Sequence, residues 1–188
     1  MDMVQLISEK LADFVIHEGK AEEEDREVLV YGNMLFIANI INGILVLIIG
    51  FLFKRCICSI VFFASFAIMR EQTGGYHAKT HLGCNLVLGI NTALVMTAVR
   101  FFGNNLRVAW GLLIISAALG LITFMLFAPR EHENKKLEQY SKDILKKRSI
   151  IVWLIISVVQ LVLLLCGRTE YSLTVGLSMV SVSLALLV

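Results

Sequence analysis

Apolar and polar positions fall along this chain in long blocks rather than in short alternation. Six apolar segments stand out, at roughly 29–53, 56–69, 82–99, 106–128, 149–167 and 172–188, with charge gathered between them. A membrane-spanning helix needs about 20 residues, with ~17 as the short limit. The first, third, fourth and fifth segments meet that length, and the sixth only just does. The second is short: its 14 residues rise roughly 21 Å against a hydrocarbon core of about 30 Å. Lys54 and Arg55 can snorkel at its end and lengthen it, so it too is read as a span. Ahead of the six, Val4, Ile7, Leu11 and Phe14 recur at spacings of three and four with Val15 alongside, while Glu9, Lys10 and Asp13 fall elsewhere on the wheel. This predicts an amphipathic helix over 2–17 that ends near Gly19, either packed on protein or lying in the membrane interface. The expected fold class is all-α, a polytopic membrane protein of about six transmembrane helices with an N-terminal amphipathic helix.

Composition agrees with that pattern. Of 188 residues, 57% are apolar and 17% charged, against about 25% charged in soluble domains. The single proline, Pro129, leaves long helices possible almost anywhere. No Gly-, Ser- or Pro-rich linker divides the chain, so 1–188 is read as one integral membrane domain. Within it lie an N-terminal helix and connector (1–28), a polar segment (70–85) and a charged loop (130–148). Residues 1–28 carry Asp2, Glu9, Asp13, Glu18 and Glu22-Glu23-Glu24-Asp25, with no short hydrophobic core before a cleavage site; the N-terminus is expected to be retained. A net charge of +2, split between both signs, does not suggest a nucleic-acid partner.

Lys and Arg positions set the orientation. With six spans and the N-terminus inside, twelve basic residues fall on cytoplasmic pieces: Lys10, Lys20 and Arg26; Arg70 and Lys79; and Arg130, Lys135, Lys136, Lys142, Lys146, Lys147 and Arg148. Five fall outside: Lys54, Arg55, Arg100, Arg107 and Arg168. Both termini and the 70–85 segment are therefore expected in the cytoplasm.

The distinctive stretch is Arg70-Glu71-Gln72-Thr73-Gly74-Gly75-Tyr76-His77-Ala78-Lys79-Thr80-His81-Leu82-Gly83-Cys84-Asn85. Ionisable groups at a membrane boundary are costly and so are functional candidates by default. Cys56, Cys58 and Cys166 lie in apolar runs, where a thiol is a small hydrophobe. Cys84 is different: it has histidines nearby, and a reducing cytoplasm would keep it a thiol. A thiol with pKa ~8.5 needs a base or a cation to attack at neutral pH. On one continuous helix His77 would stand roughly 10.5 Å from Cys84 and His81 about 4.5 Å away on the same face. Local geometry nominates His81 unless the chain folds back, which Gly74, Gly75 and Gly83 make cheap. Both histidines stay open on this ground. Competing readings are a solvated loop, a zinc site and a non-enzymatic transporter or scaffold. For zinc, His77, His81 and Cys84 lack an evident fourth ligand, and a His-Glu-x-x-His pattern is missing. For a transporter or scaffold, Asn33, Asn39, Asn42 and Gln160 would line a pathway, although they serve equally as hydrogen-bond glue between helices.

The run Arg70-x3-Gly74-Gly75-x-His77-x6-Cys84 resembles the signature of AgrB proteins, membrane cysteine endopeptidases of peptide quorum sensing in Gram-positive bacteria. Chain length, span number and the basic loop before the fifth span are similar too. The resemblance implies Cys84 as nucleophile and His77, rather than His81, as its base, with no metal and no cofactor. It implies a small AgrD-like propeptide as substrate, cut to remove its C-terminal tail through a thioester and closed to a thiolactone. It also implies a homodimer in the bacterial cell membrane. Supporting roles are expected at Arg70 (a substrate carboxylate or the thiolate), Gly75 (backbone geometry and oxyanion donors), and Gln72 or Asn85 (orienting the imidazole or the oxyanion). The loop 130–148, with seven basic and four acidic residues, is read as a solvated helix or headgroup contact that could also dock an acidic tail.

Overall fold

A computed structural model describes residues 3–73, 81–129 and 139–187, with the backbone alone at 81–82 and 139–142. Among the described residues there are seven α-helices and no strand: α1 (Met3–His17), α2 (Arg26–Leu52), α3 (Cys56–Thr73), α4 (His81–Phe102), α5 (Leu106–Phe127), α6 (Gln139–Leu165) and α7 (Thr169–Leu187). Helices α2 to α7 are each long and apolar enough to cross a membrane, as the hydrophobic pattern predicts.

Helix ends differ from the apolar runs in an informative way. The second run stops at residue 69, yet α3 continues through Arg70, Glu71 and Gln72 to Thr73. Arg, Glu and Gln are good helix formers, so polarity ends the apolar run without ending the helix. The 18-residue helix that results is just long enough to span. At its other end Gly50 lets α2 and α3 approach, since a Cβ there would lie 2.0 Å from Ser59 Oγ. Likewise α6 begins at Gln139, ten residues before its apolar run, so half of the charged loop is the polar first turns of a spanning helix.

The connections 53–55, 103–105 and 166–168 are tight. Lys54 (φ 56°) and Gly167 (φ 73°) take the left-handed conformation that closes a helix C-terminus, while Asn105 caps α5 by accepting from the N–H groups of Arg107 and Val108.

The chain divides into two compact units, Met1–Leu45 and Val46–Val188, with α2 running through the boundary. In the first, Asn33 Nδ2 donates to Ser8 O (3.4 Å) and Arg26 pairs with Asp13 (2.7 Å). Helix α1 buries Ser8 and Ala12, while Ile7, Leu11 and Phe14 of its apolar stripe stay exposed. The small face rather than the apolar face is therefore the packed one.

In the second unit α7 is the central post: it packs on α3, α4, α5 and α6. Two apolar clusters flank it. One joins Val46, Phe62, Val95, Met96, Val99 and Leu173. The other joins Met69, Phe124, Met179, Val182 and Leu186, nearer the end where α3 stops and α4 starts.

Candidate functional site

Cys84 is the fourth residue of α4 and is partly buried. Its direction follows from helix periodicity. Positions 88, 91, 92 and 95 share its face, and of these Leu88, Thr92 and Val95 are buried, while Asn91 meets Ser181 of α7. Leu86, Val87, Ile90 and Leu94, on the other face, are exposed. Cys84 therefore stands on the interior face of α4, one turn from its start, and not on the outward-facing side.

Arg70 lies in the last turn of α3. Its guanidinium folds back over the Phe66 ring, 5.7 Å from Cζ to the centroid, a cation–π contact that anchors a charge at the rim of the bundle. Two cross-helix links allow the relative heights to be worked out. The Ser178 hydroxyl donates to Ser65 Oγ of α3 (2.9 Å), and the Ser181 hydroxyl donates to Asn91 Oδ1 of α4 (3.1 Å). At 1.5 Å per residue, Arg70 stands roughly 7.5 Å beyond Ser65 toward this end, and Cys84 about 15 Å beyond the same level, which leaves a step of about 7.5 Å between their Cα atoms. A substrate group can lie between them.

Gln72 is half-buried, and its Oε1 is shut away from solvent without a hydrogen-bond partner among the described residues. A buried carbonyl oxygen is costly to leave unpaired and can accept a hydrogen bond from a group brought to it. Thr73, fully buried, donates to Met69 O (3.0 Å) and helps close α3. Asn85 is partly buried beside Cys84. His77 and Gly75 lie outside the described residues. The backbone of α4 places His81 and Cys84 three residues apart in one helical turn, as the local argument anticipated.

The other cysteines divide as their settings suggest. Cys58 is buried among apolar neighbours, whereas Cys56 and Cys166 are exposed at the opposite helix ends. Gln160 acts as glue: its Oε1 accepts from Ser116 of α5 (3.0 Å), and its backbone O accepts from Ser172 of α7 (3.0 Å). What sequence reasoning missed is the α7 serines, which contact α3 and α4. Their signal was present, since small and hydroxylated residues inside an apolar segment mark helix interfaces in membranes.

The family model for AgrB, accessory gene regulator B, matches residues 8–187. A Clostridium perfringens (strain 13 / Type A) protein described as AgrB-like is 26% identical over 168 residues, covering 86% of this chain and 78% of its own. Another, from Clostridium perfringens strain SM101, is 25% identical over the same shares. A third, from Halalkalibacterium halodurans, is 34% identical over 117 residues, covering 59% of this chain and 56% of its own. No solved structure matches.

Proposed function

Since the chain belongs to the accessory gene regulator B family and is a multi-pass membrane protein, we propose that it is a membrane cysteine endopeptidase acting on an AgrD-like propeptide. The observation that supports this reading is the placement of Cys84 on the interior face of α4, one turn from the helix start, with Arg70 held over Phe66 in the last turn of α3.

In the proposed reaction His77 takes the Cys84 proton and the sulfur attacks the scissile carbonyl. His77 then gives that proton to the amine of the departing C-terminal tail, and the N-terminal fragment remains as a thioester on Cys84. A cysteine thiol inside the fragment attacks that thioester, loses its proton to the base and displaces the Cys84 thiolate. The product is a thiolactone. One thioester replaces another, so the bond's free energy is kept, and a site at the rim of an apolar bundle limits loss to water. Arg70 would hold a carboxylate of the substrate or the thiolate, and the buried Gln72 Oε1 would accept from the imidazolium N–H. Asn85 and the N–H groups near Gly75 are the candidates for the oxyanion. The basic-residue asymmetry supports a cytoplasmic side for both termini and the site.

The test uses an AgrD-like precursor peptide. Mixed with the protein, it should give an adduct on Cys84 equal in mass to the N-terminal fragment less one water, and hydroxylamine should remove it. Replacing the peptide's ring-forming cysteine by alanine should make the adduct accumulate. Cys84→Ala and His77→Ala should abolish cleavage in inserted, folded protein, while Cys56→Ala, Cys58→Ala and Cys166→Ala should cleave nearly normally. Cleavage with no Cys84-linked species would sink the reading. Because His81 shares a turn with Cys84, an inactive His81→Ala beside an active His77→Ala would transfer the base to His81.

A further inference from the structure

Among the described residues, the two helices that carry the site pack less on each other than each does on α7. Arg70 and Gln72 lie in the last turn of α3, Cys84 lies in the first turn of α4, and the connection between the helices lies outside the described residues. Their relative height and rotation are fixed within the bundle by α7.

The polar contacts are placed for that task. Ser178 bonds Ser65 of α3, and Ser181, one turn further toward the site, bonds Asn91 of α4. Each hydroxyl carries one hydrogen, and its own helix offers a second acceptor for it, Val175 O (2.7 Å from Ser178 Oγ) and Leu177 O (2.8 Å from Ser181 Oγ), so cross-helix donation and back-bonding are alternatives for each serine. Back-bonding alone would be served at any position on α7. Instead the two hydroxyls stand where α3 and α4 each present a polar side chain at the same level, amid apolar neighbours such as Phe66, Leu88 and Val182. In an apolar surrounding a polar contact is directional where dispersion is not, so it fixes register as well as proximity. Asn91 shares the helix face of Cys84 two turns away, and Ser65 precedes Arg70 by five residues. Any slip or rotation at either contact is carried rigidly to the site residue.

We propose that Ser178 and Ser181 of α7 form an alignment jig for the site, with Asn91 as the positioning residue that sets Cys84 against Arg70. Neither Asn91 nor the serines touch substrate; they act through the helices that bear the reacting groups. The role of Cys84 as a nucleophile rests on the function proposed above, but the jig is tested by distance and not by cleavage, so the two can fail separately.

The experiment uses the full chain in detergent with Cys56→Ser, Cys58→Ala and Cys166→Ser, and with Arg70→Cys added so that positions 70 and 84 hold the only thiols. A short bifunctional maleimide then reports their spacing through its cross-linking rate. Asn91→Leu and Ser181→Ala should each slow cross-linking about fivefold, the effect of losing roughly one hydrogen bond of register, and the double variant should be no slower than the worse single one. Ser181→Thr, which keeps the hydroxyl, should restore the rate. Ser116→Ala breaks a buried link between α5 and α6 instead and should leave it unmoved. Unchanged rates in Asn91→Leu and Ser181→Ala would overturn the proposal. So would an equal loss in Ser116→Ala, or no recovery in Ser181→Thr, because general loosening of the bundle would then be the cause.

Discussion

Helices α6 and α7 are joined by three residues, yet they are opposite solutions to living in a membrane. Helix α6 is the more apolar span, and only 22% of that span is buried; α7 is less apolar, and 56% of it is buried. Ile151, Leu154, Ile155, Val158 and Leu165 of α6 point outward, and the polar Gln160 points in. The interior of α7 is made of Ser172, Thr174, Gly176, Ser178 and Ser183 as much as of Leu173, Met179 and Val182. In water the most apolar helix would be at the centre. Lipid is as apolar as leucine, so there is little to gain by hiding leucine from it. Close approach and hydrogen bonding decide which helix is central, and both favour small hydroxylated residues.

Close approach offers the sharpest way to break this comparison. A Cβ on Gly176 would stand 2.4 Å from Gln160 Nε2 and 2.9 Å from Leu112 Cδ2, whereas one on Gly111 of α5 would meet nothing within 4 Å. Gly176→Val should therefore destabilise the bundle by about 3 kcal/mol, the upper range for overpacking, while Gly111→Val stays near wild type. Unfolding in mixed micelles, followed by helicity, measures both; equal losses would deny α7 its special place.

Next in size is the polar link of α6. Gln160→Leu removes the acceptor of Ser116 together with a buried Nε2 that lacks a partner among the described residues, so loss and relief partly cancel. A net cost of about 1 kcal/mol is expected, within the range of polar contacts between membrane helices. Adding Ser116→Ala should cost little more, since the pair is already broken.

A smaller effect is expected where α7 begins. Arg55 pairs with Glu170, both side chains being a little over one quarter exposed. Glu170→Gln should cost below about 1 kcal/mol, less at high salt, because such pairs are partly screened. The smallest change should come from α6's outward face: Leu154→Ala should stay within about 0.5 kcal/mol, as for substitutions away from packed contacts. A large loss there would mean that this face is covered by protein.

Much of the architecture was legible in the chain. The six spans follow from blocks of apolar residues, and the helix over 2–17 with its stop at Gly19 follows from spacing and one glycine. Less legible was the extent of α3 and α6. Arg70, Glu71 and Gln72, and the residues from Gln139 on, break an apolar run but have high helix propensity, so hydropathy ended the span where hydrogen bonding did not. The stripe of α1 left open whether its apolar face packs on protein or lies in the membrane interface; Ile7, Leu11 and Phe14 stay exposed, and the small Ser8 and Ala12 are the buried positions. At the site, Cys84 and Arg70 were singled out from a polar segment at a membrane edge. The sequence held the histidine alternatives open, and the local turn does join His81 to Cys84.

The sequence by itself determined what local periodicity and composition can determine: how many helices cross, where they turn, and which segment concentrates ionisable groups and a thiol. Each of these depends on residues near one another in the chain. Only the tertiary structure decided that the last segment, barely long enough to span, is the post on which the others pack. It also decided that Ser65, Asn91, Ser178 and Ser181 meet in pairs, and that Cys84 faces inward. Those facts depend on which helix faces which. In a membrane, hydrophobicity cannot choose among faces that are all apolar, so the choice falls to the fit of small residues and to hydrogen bonds between segments some ninety or more positions apart.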